Sequence, residues 1–142
     1  MDRIKVKNCK LIELPVMQDN RGGCLSVAEG FRDIPFEIKR VYYIYNLSTK
    51  SVIRGMHAHK KLQQAIFCIN GSCCLELDDG ASSQSIVLNE PNIGIYMDIE
   101  VWHAVKDFSE NCILIVFASD YYDKFDYIES YSQFIEYLDG HK

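Results

Sequence analysis

The run AIFCINGSCCLELDDGASSQSIVL, residues 65–88, decides the fold class of this 142-residue chain. Its apolar or alternating segments at 65–69, 73–77 and 85–88 are separated by Asn70-Gly71 and Asp79-Gly80. Those dipeptides accept the positive φ of tight hairpin turns, so the run reads as an antiparallel meander. Outward from it, segments 41–47, 93–97 and 112–118 carry the same strand pattern. The nine Tyr and seven Phe suit pleated surfaces. One helix is predicted over 126–138, where Ile128, Tyr131, Phe134, Ile135 and Leu138 recur at three- and four-residue spacing after Asp126, with Glu129 placed for a capping box. Many short strands and one closing helix predict a single all-β domain over 1–142, a closed barrel or double-sheet jelly roll that leaves few exposed edges.

A formal charge of −5 with no basic run argues against nucleic acid as a partner, because counterion release needs a dense basic patch. No basic-then-apolar leader and no apolar run of about 18 residues is visible, so neither export nor membrane insertion is expected, and the cytoplasm is the expected location. Cysteines 9, 24, 68, 73, 74 and 112 include no Cys-x-x-Cys pair and read as reduced packing residues.

Arg54-Gly55-Met56-His57-Ala58-His59-Lys60-Lys61 carries the chemistry. Residues two apart on a strand project from one face, so His57 and His59 are expected side by side. Two adjacent imidazoles suit either a metal ion or proton shuttling near neutral pH. His103 follows Trp102 beyond the 93–97 strand, and His141 reads as a solvated tail residue.

A His-x-His unit, an acidic or amide residue four or five positions on, and a distant His after a Pro-x-x-Gly turn resembles the two-part cupin motif. Here its parts are Gly55, His57, His59, Gln63 or Gln64, Gly71, Pro91, Gly94 and His103. Metal-binding cupins carry Glu where this chain has Gln, and a neutral amide is a poorer ligand for a divalent ion, so no metal and no cofactor is expected. The resemblance narrows further. Asp19-Asn20-Arg21-Gly22, Lys39-Arg40-Val41-Tyr42-Tyr43-Ile44, the His57-Ala58-His59 stretch, Val101-Trp102-His103 and Ala118-Ser119-Asp120-Tyr121-Tyr122 are similar to the nucleotide-linked 4-keto-6-deoxyglucose 3,4-ketoisomerases, from about residue 10 to 135.

That resemblance implies a cupin barrel acting on a dTDP-linked 4-keto-6-deoxyhexose and moving its ketone from C4 to C3, which supplies a 3-ketosugar for 3-amino-sugar synthesis. It implies His57 as the base at carbon, His59 as the relay between the C3 and C4 oxygens, and a homodimer whose N-terminal strand crosses to the partner. The apolar stretch 11–16 is compatible with such a crossing. Tyr43 is a candidate donor to the developing oxyanion. Arg21, Arg40 and Arg54 are candidates for the diphosphate, since guanidinium pairs with phosphate oxygens. Gln64 and His103 are assigned to substrate binding, and Trp102 or Tyr122 to stacking on the thymine base. The competing expectations are a 3,5-epimerase of the same substrate class, a metal-dependent cupin, and a non-catalytic sugar-nucleotide binding module.

Overall fold

A computed structural model describes residues 3–47 and 51–141. In chain order its strands are β1 (Cys9–Glu13), β2 (Met17–Gln18), β3 (Cys24–Leu25), β4 (Arg40–Ile44), β5 (Arg54–His59), β6 (Gln64–Asn70), β7 (Cys73–Asp78), β8 (Ser83–Leu88), β9 (Ile93–Met97), β10 (Trp102–Lys106), β11 (Ile113–Ala118) and β12 (Tyr127–Ile128), followed by helix α1 (Tyr131–Asp139). Two five-stranded antiparallel sheets, ordered β1-β9-β6-β11-β4 and β12-β5-β10-β7-β8, enclose one core. This is the predicted jelly-roll sandwich with a short C-terminal helix.

Alternation places Ile66, Ile95, Leu114 and Val116 of the first sheet against Leu75, Leu77, Ile86 and Leu88 of the second, all nearly inaccessible to solvent. The outer face of the first sheet is also apolar, with Ala65, Phe67 and Tyr96 covered by Ile34 and Phe36 from the segment before β4. On the outside of the second sheet, Phe134 of α1 packs over Ala58 and Ile128. No helix among the described residues is long and apolar enough to cross a membrane.

Two expectations change. The helix starts at Tyr131, with Ser130 as the capping side chain that accepts from the Gln133 N–H. Asp126 is instead drawn inward by contacts described below, and 127–128 pair with β5 as a strand. Residues 102–106, unassigned from the sequence, form the central strand β10. Within the chain, β1 pairs with β9 from Cys9 to Glu13.

Candidate active site

The site is built where β5 meets β10. His103 pairs with His57, but the next β10 residue, Ala104, pairs with Gly55, so Met56 is an extra residue on β5. This is a β-bulge, with φ of 83° at Gly55 and 61° at Met56. A Cβ on Gly55 would lie 3.1 Å from the His103 carbonyl oxygen, so the position combines left-handed backbone with close approach. The bulge has a functional result. Arg54 and His57 differ by an odd number of residues and would face opposite ways on a regular strand, yet both line one cavity.

Three imidazoles converge there. The His57 ring centroid lies 4.9 Å from that of His59 and 4.7 Å from that of His103. Burial pulls all three rings below the ordinary histidine value, and for His59 and His103 the neighbouring imidazoles add to the effect. The rings are therefore neutral at pH 7. His59 has its tautomer set by a partner the sequence reading missed. Asp126, buried, accepts from His59 Nδ1 at 3.0 Å, from the Lys61 N–H at 2.6 Å and from the Leu62 N–H at 3.3 Å. His59 Nε2 is left as the basic nitrogen, buried and without a hydrogen-bond partner among the described residues.

The cavity itself, about 270 Å³, is lined by Arg40, Tyr42, Arg54, His57, Gln64, His103 and Tyr127 among others. It is near the lower end of small-molecule pockets, the size of a sugar ring rather than a whole nucleotide sugar. His59 stands behind this lining, in edge contact with His57 and 4.5 Å, centroid to centroid, from Tyr127. Gln64 Nε2 donates to Tyr42 Oη at 2.9 Å, which leaves the tyrosine proton free to donate elsewhere. Burial pushes the Tyr42 phenol up to about 12 and raises that of Tyr127, so both remain protonated donors. A larger depression of about 550 Å³ between β1 and β8 is lined by Glu13 and Glu90 and has no imidazole or arginine.

Of the sequence-derived candidates, His57, His103, Gln64, Arg40 and Arg54 are brought together in the cavity. Tyr43 is not. It is 63% exposed and stacks on Tyr45, because on β4 the inward positions are those of Arg40, Tyr42 and Ile44. Trp102 faces outward, its ring 5.6 Å from Tyr131 and 6.0 Å from Phe134, and so anchors α1 instead of stacking on a base. Arg21 lies on the exposed β2–β3 hairpin, paired with Asp19. Tyr122 is largely exposed, against Tyr127.

Neutral buried histidines tie stability to pH. Their folded pKa lies below the unfolded value of about 6.5, so the unfolded chain binds more protons and stability falls as pH drops below that value. The two most buried rings, His59 and His103, together predict a loss of about 3 kcal/mol per pH unit on the acid side of 6.5. Urea unfolding at pH 7.5 and 5.5 checks this. An unchanged midpoint would contradict it.

Residues 7–139 match the family model described as FdtA: WxcM-like, C-terminal. This chain belongs to the FdtA family. It is 46% identical over 129 residues, 91% of either chain, to the TDP-4-oxo-6-deoxy-α-D-glucose-3,4-oxoisomerase of Aneurinibacillus thermoaerophilus. Among FdtA-like solved structures, QdtA, the sugar 3,4-ketoisomerase of Thermoanaerobacterium thermosaccharolyticum, in complex with TDP, superposes with a TM-score of 0.90 at 42% identity, covering 95% of this chain and 97% of that one. The WlaRB TDP-quinovose 3,4-ketoisomerase of Campylobacter jejuni gives 0.87 at 44% identity, covering 92% and 99%.

Proposed function

We infer that this protein is a sugar-nucleotide 3,4-ketoisomerase acting on a TDP-linked 4-keto-6-deoxyhexose, and we propose that its own histidines carry the protons. The observation that carries this reading is the neutral His57 facing a sugar-sized cavity with the tautomer-fixed His59 directly behind it. His57 removes the proton from C3, and the electron pair forms the C3=C4 double bond while negative charge collects on O4. His59 moves the O3 proton to O4, a role that requires the bound sugar to reach its buried Nε2 past the His57 and Tyr127 rings, and His57 returns its proton to C4 as O3 becomes the new ketone oxygen. Atoms and electrons balance within the sugar, so no redox partner is required. Arg40 and Arg54 hold the diphosphate at the rim. Incubation with TDP-4-keto-6-deoxyglucose in deuterated water, read by NMR, tests the reading. The ketone should move to C3, whereas deuterium at C5 would establish an epimerase instead.

Tyr42 takes the oxyanion role expected of Tyr43. Its proton is directed into the cavity because Gln64 already donates to its oxygen. Tyr42→Phe should lower kcat by about 10²-fold, the size of one lost oxyanion donor. Tyr43→Phe should leave kcat unchanged, and the opposite ranking would remove Tyr42 from the mechanism.

A metal-dependent reading draws on one observation: the histidine donor nitrogens of His57, His59 and His103 lie within 4.8 Å of one another. The fourth cupin ligand is replaced by Gln64, whose amide is already committed to Tyr42. Under the proton-relay reading, exhaustive chelation leaves kcat unchanged. Loss of turnover, restored by one divalent ion, would favour the metal.

The chain is further proposed to work as a homodimer in the cytoplasm, where nucleotide sugars are made. β4 is a sheet edge with Val41 and Tyr43 exposed and Tyr45 exposed just beyond it, and the β2–β3 hairpin presents Met17 and Leu25, with Val16 beside them. Such apolar surface on an open edge calls for a partner. Light scattering should give twice the 16.4 kDa chain mass.

A further inference from the structure

At the end of the barrel marked by the β6–β7 turn, three cysteines meet. Cys68 is near the end of β6, Cys73 begins β7 across the Asn70-Gly71 turn, and Cys112 precedes β11, the neighbour of β6. All are free and 2% exposed or less. Their sulfurs lie within 4.8 Å of one another, Cys68 and Cys112 at 3.6 Å. None of the three takes part in the proposed isomerase chemistry.

We propose that Cys68, Cys73 and Cys112 form a three-sulfur site for a soft d10 cation, with Cu(I) the preferred occupant. Metal–sulfur bonds of about 2.3 Å around a trigonal ion require sulfurs about 4.0 Å apart, and a cluster with Cys68 and Cys112 at 3.6 Å and all three sulfurs within 4.8 Å admits that spacing. The ligands are also held in place before any ion arrives. The Ser72 N–H donates to Ser109 Oγ, the Ser109 N–H to the Ser72 carbonyl, and Asn70 Nδ2 to the Asn111 carbonyl. These bonds tie the turn carrying Cys68 and Cys73 to the loop carrying Cys112. A surface depression lined by Asn46, Asn70, Asn111 and Cys112 offers a route in.

Cation binding at the sulfurs displaces thiol protons to solvent, with no change of oxidation state when the copper arrives as Cu(I). The cluster contains no histidine or carboxylate. Zn(II), which takes four ligands in structural sites, is therefore served less well than a soft ion content with three sulfurs.

The test is anaerobic titration of the intact protein with Cu(I) against bathocuproine disulfonate as competitor, followed by X-ray absorption of the loaded protein. One equivalent retained, ligated by sulfur alone, is expected. Cys73→Ala should lose that equivalent, and Cys74→Ala, on the opposite face of β7, should keep it. Nitrogen ligation, which would indicate the histidines, overturns the proposal, as does no retained copper or displacement of Cu(I) by equimolar Zn(II). Should Cys73→Ala fail to fold, the absorption spectrum of the unmodified protein decides alone. The isomerase reading is untouched by any of these results.

Discussion

Replacing His57 with Asn should lower kcat by about 10³- to 10⁴-fold, at the upper end of what one acid–base group contributes. The asparagine side chain approximates the ring's first atoms and keeps a hydrogen-bonding group in the cavity, but it cannot accept a carbon-bound proton at neutral pH. Binding should survive, because the groups assigned to the diphosphate, Arg40 and Arg54, lie on other parts of the cavity wall. Affinity for TDP by calorimetry should stay within about threefold, and kcat and kcat/KM should fall together, the signature of an interaction made in the transition state. The pH profile adds a second measurement. Burial lowers the pKa of His57, so the acid limb of the unmodified enzyme should lie below the ordinary histidine value of about 6.5. Retention of more than a tenth of the activity in His57→Asn would remove this residue as the base at carbon.

How far the site was readable from sequence depends on whether a residue's facing follows from simple periodicity. On β4 it does: Arg40 and Tyr42 share parity, Arg40 and Tyr43 do not, and applying the strand period strictly would have selected Tyr42. On β5 it fails, because the extra residue Met56 turns Arg54 onto the face of His57, and no residue type announces a bulge whose second positive φ falls on a methionine. The meander was legible because its turns have a local chemistry in Asn70-Gly71 and Asp79-Gly80. β10 was less so, since Val101 to Val105 alternates around a histidine and reads equally as a strand end. Asp126 shows the deeper limit. An acidic residue before an amphipathic helix is a reasonable capping signal, and the competing attraction comes from groups 64 to 67 positions away that only the folded chain brings near. Tyr127 entered with it, carried inward by the strand that Asp126 helps to seat.

Asp126→Asn is the sharper test of how His59 works, because it removes a charge and an acceptor while preserving shape. The native carboxylate receives three N–H groups: Oδ2 from His59 Nδ1 and the Leu62 backbone, Oδ1 from the Lys61 backbone. An amide has one oxygen. With that oxygen on Lys61, its NH2 faces His59 Nδ1 and can be satisfied only if the ring moves its own proton to Nε2, which reverses the nitrogen meant to accept. With the amide turned the other way, the Lys61 N–H is left facing a second donor. The first arrangement loses the relay and the longer 3.3 Å bond from the Leu62 N–H, and the second loses stability of about 1–3 kcal/mol for the buried Lys61 donor left unsatisfied. The short 2.6 Å contact with Lys61 favours keeping the oxygen there, so the tautomer is what gives way. We expect kcat to fall by about 10³-fold, in the range seen when a carboxylate that orients a catalytic histidine becomes an amide. TDP affinity should be retained. The readout that separates this from simple destabilisation is the imidazole ¹⁵N spectrum at a temperature where the variant is folded: His59 should change from the Nδ1–H to the Nε2–H form. A tautomer that switches while kcat stays within about threefold would show that His59 does not pass the proton between the sugar oxygens.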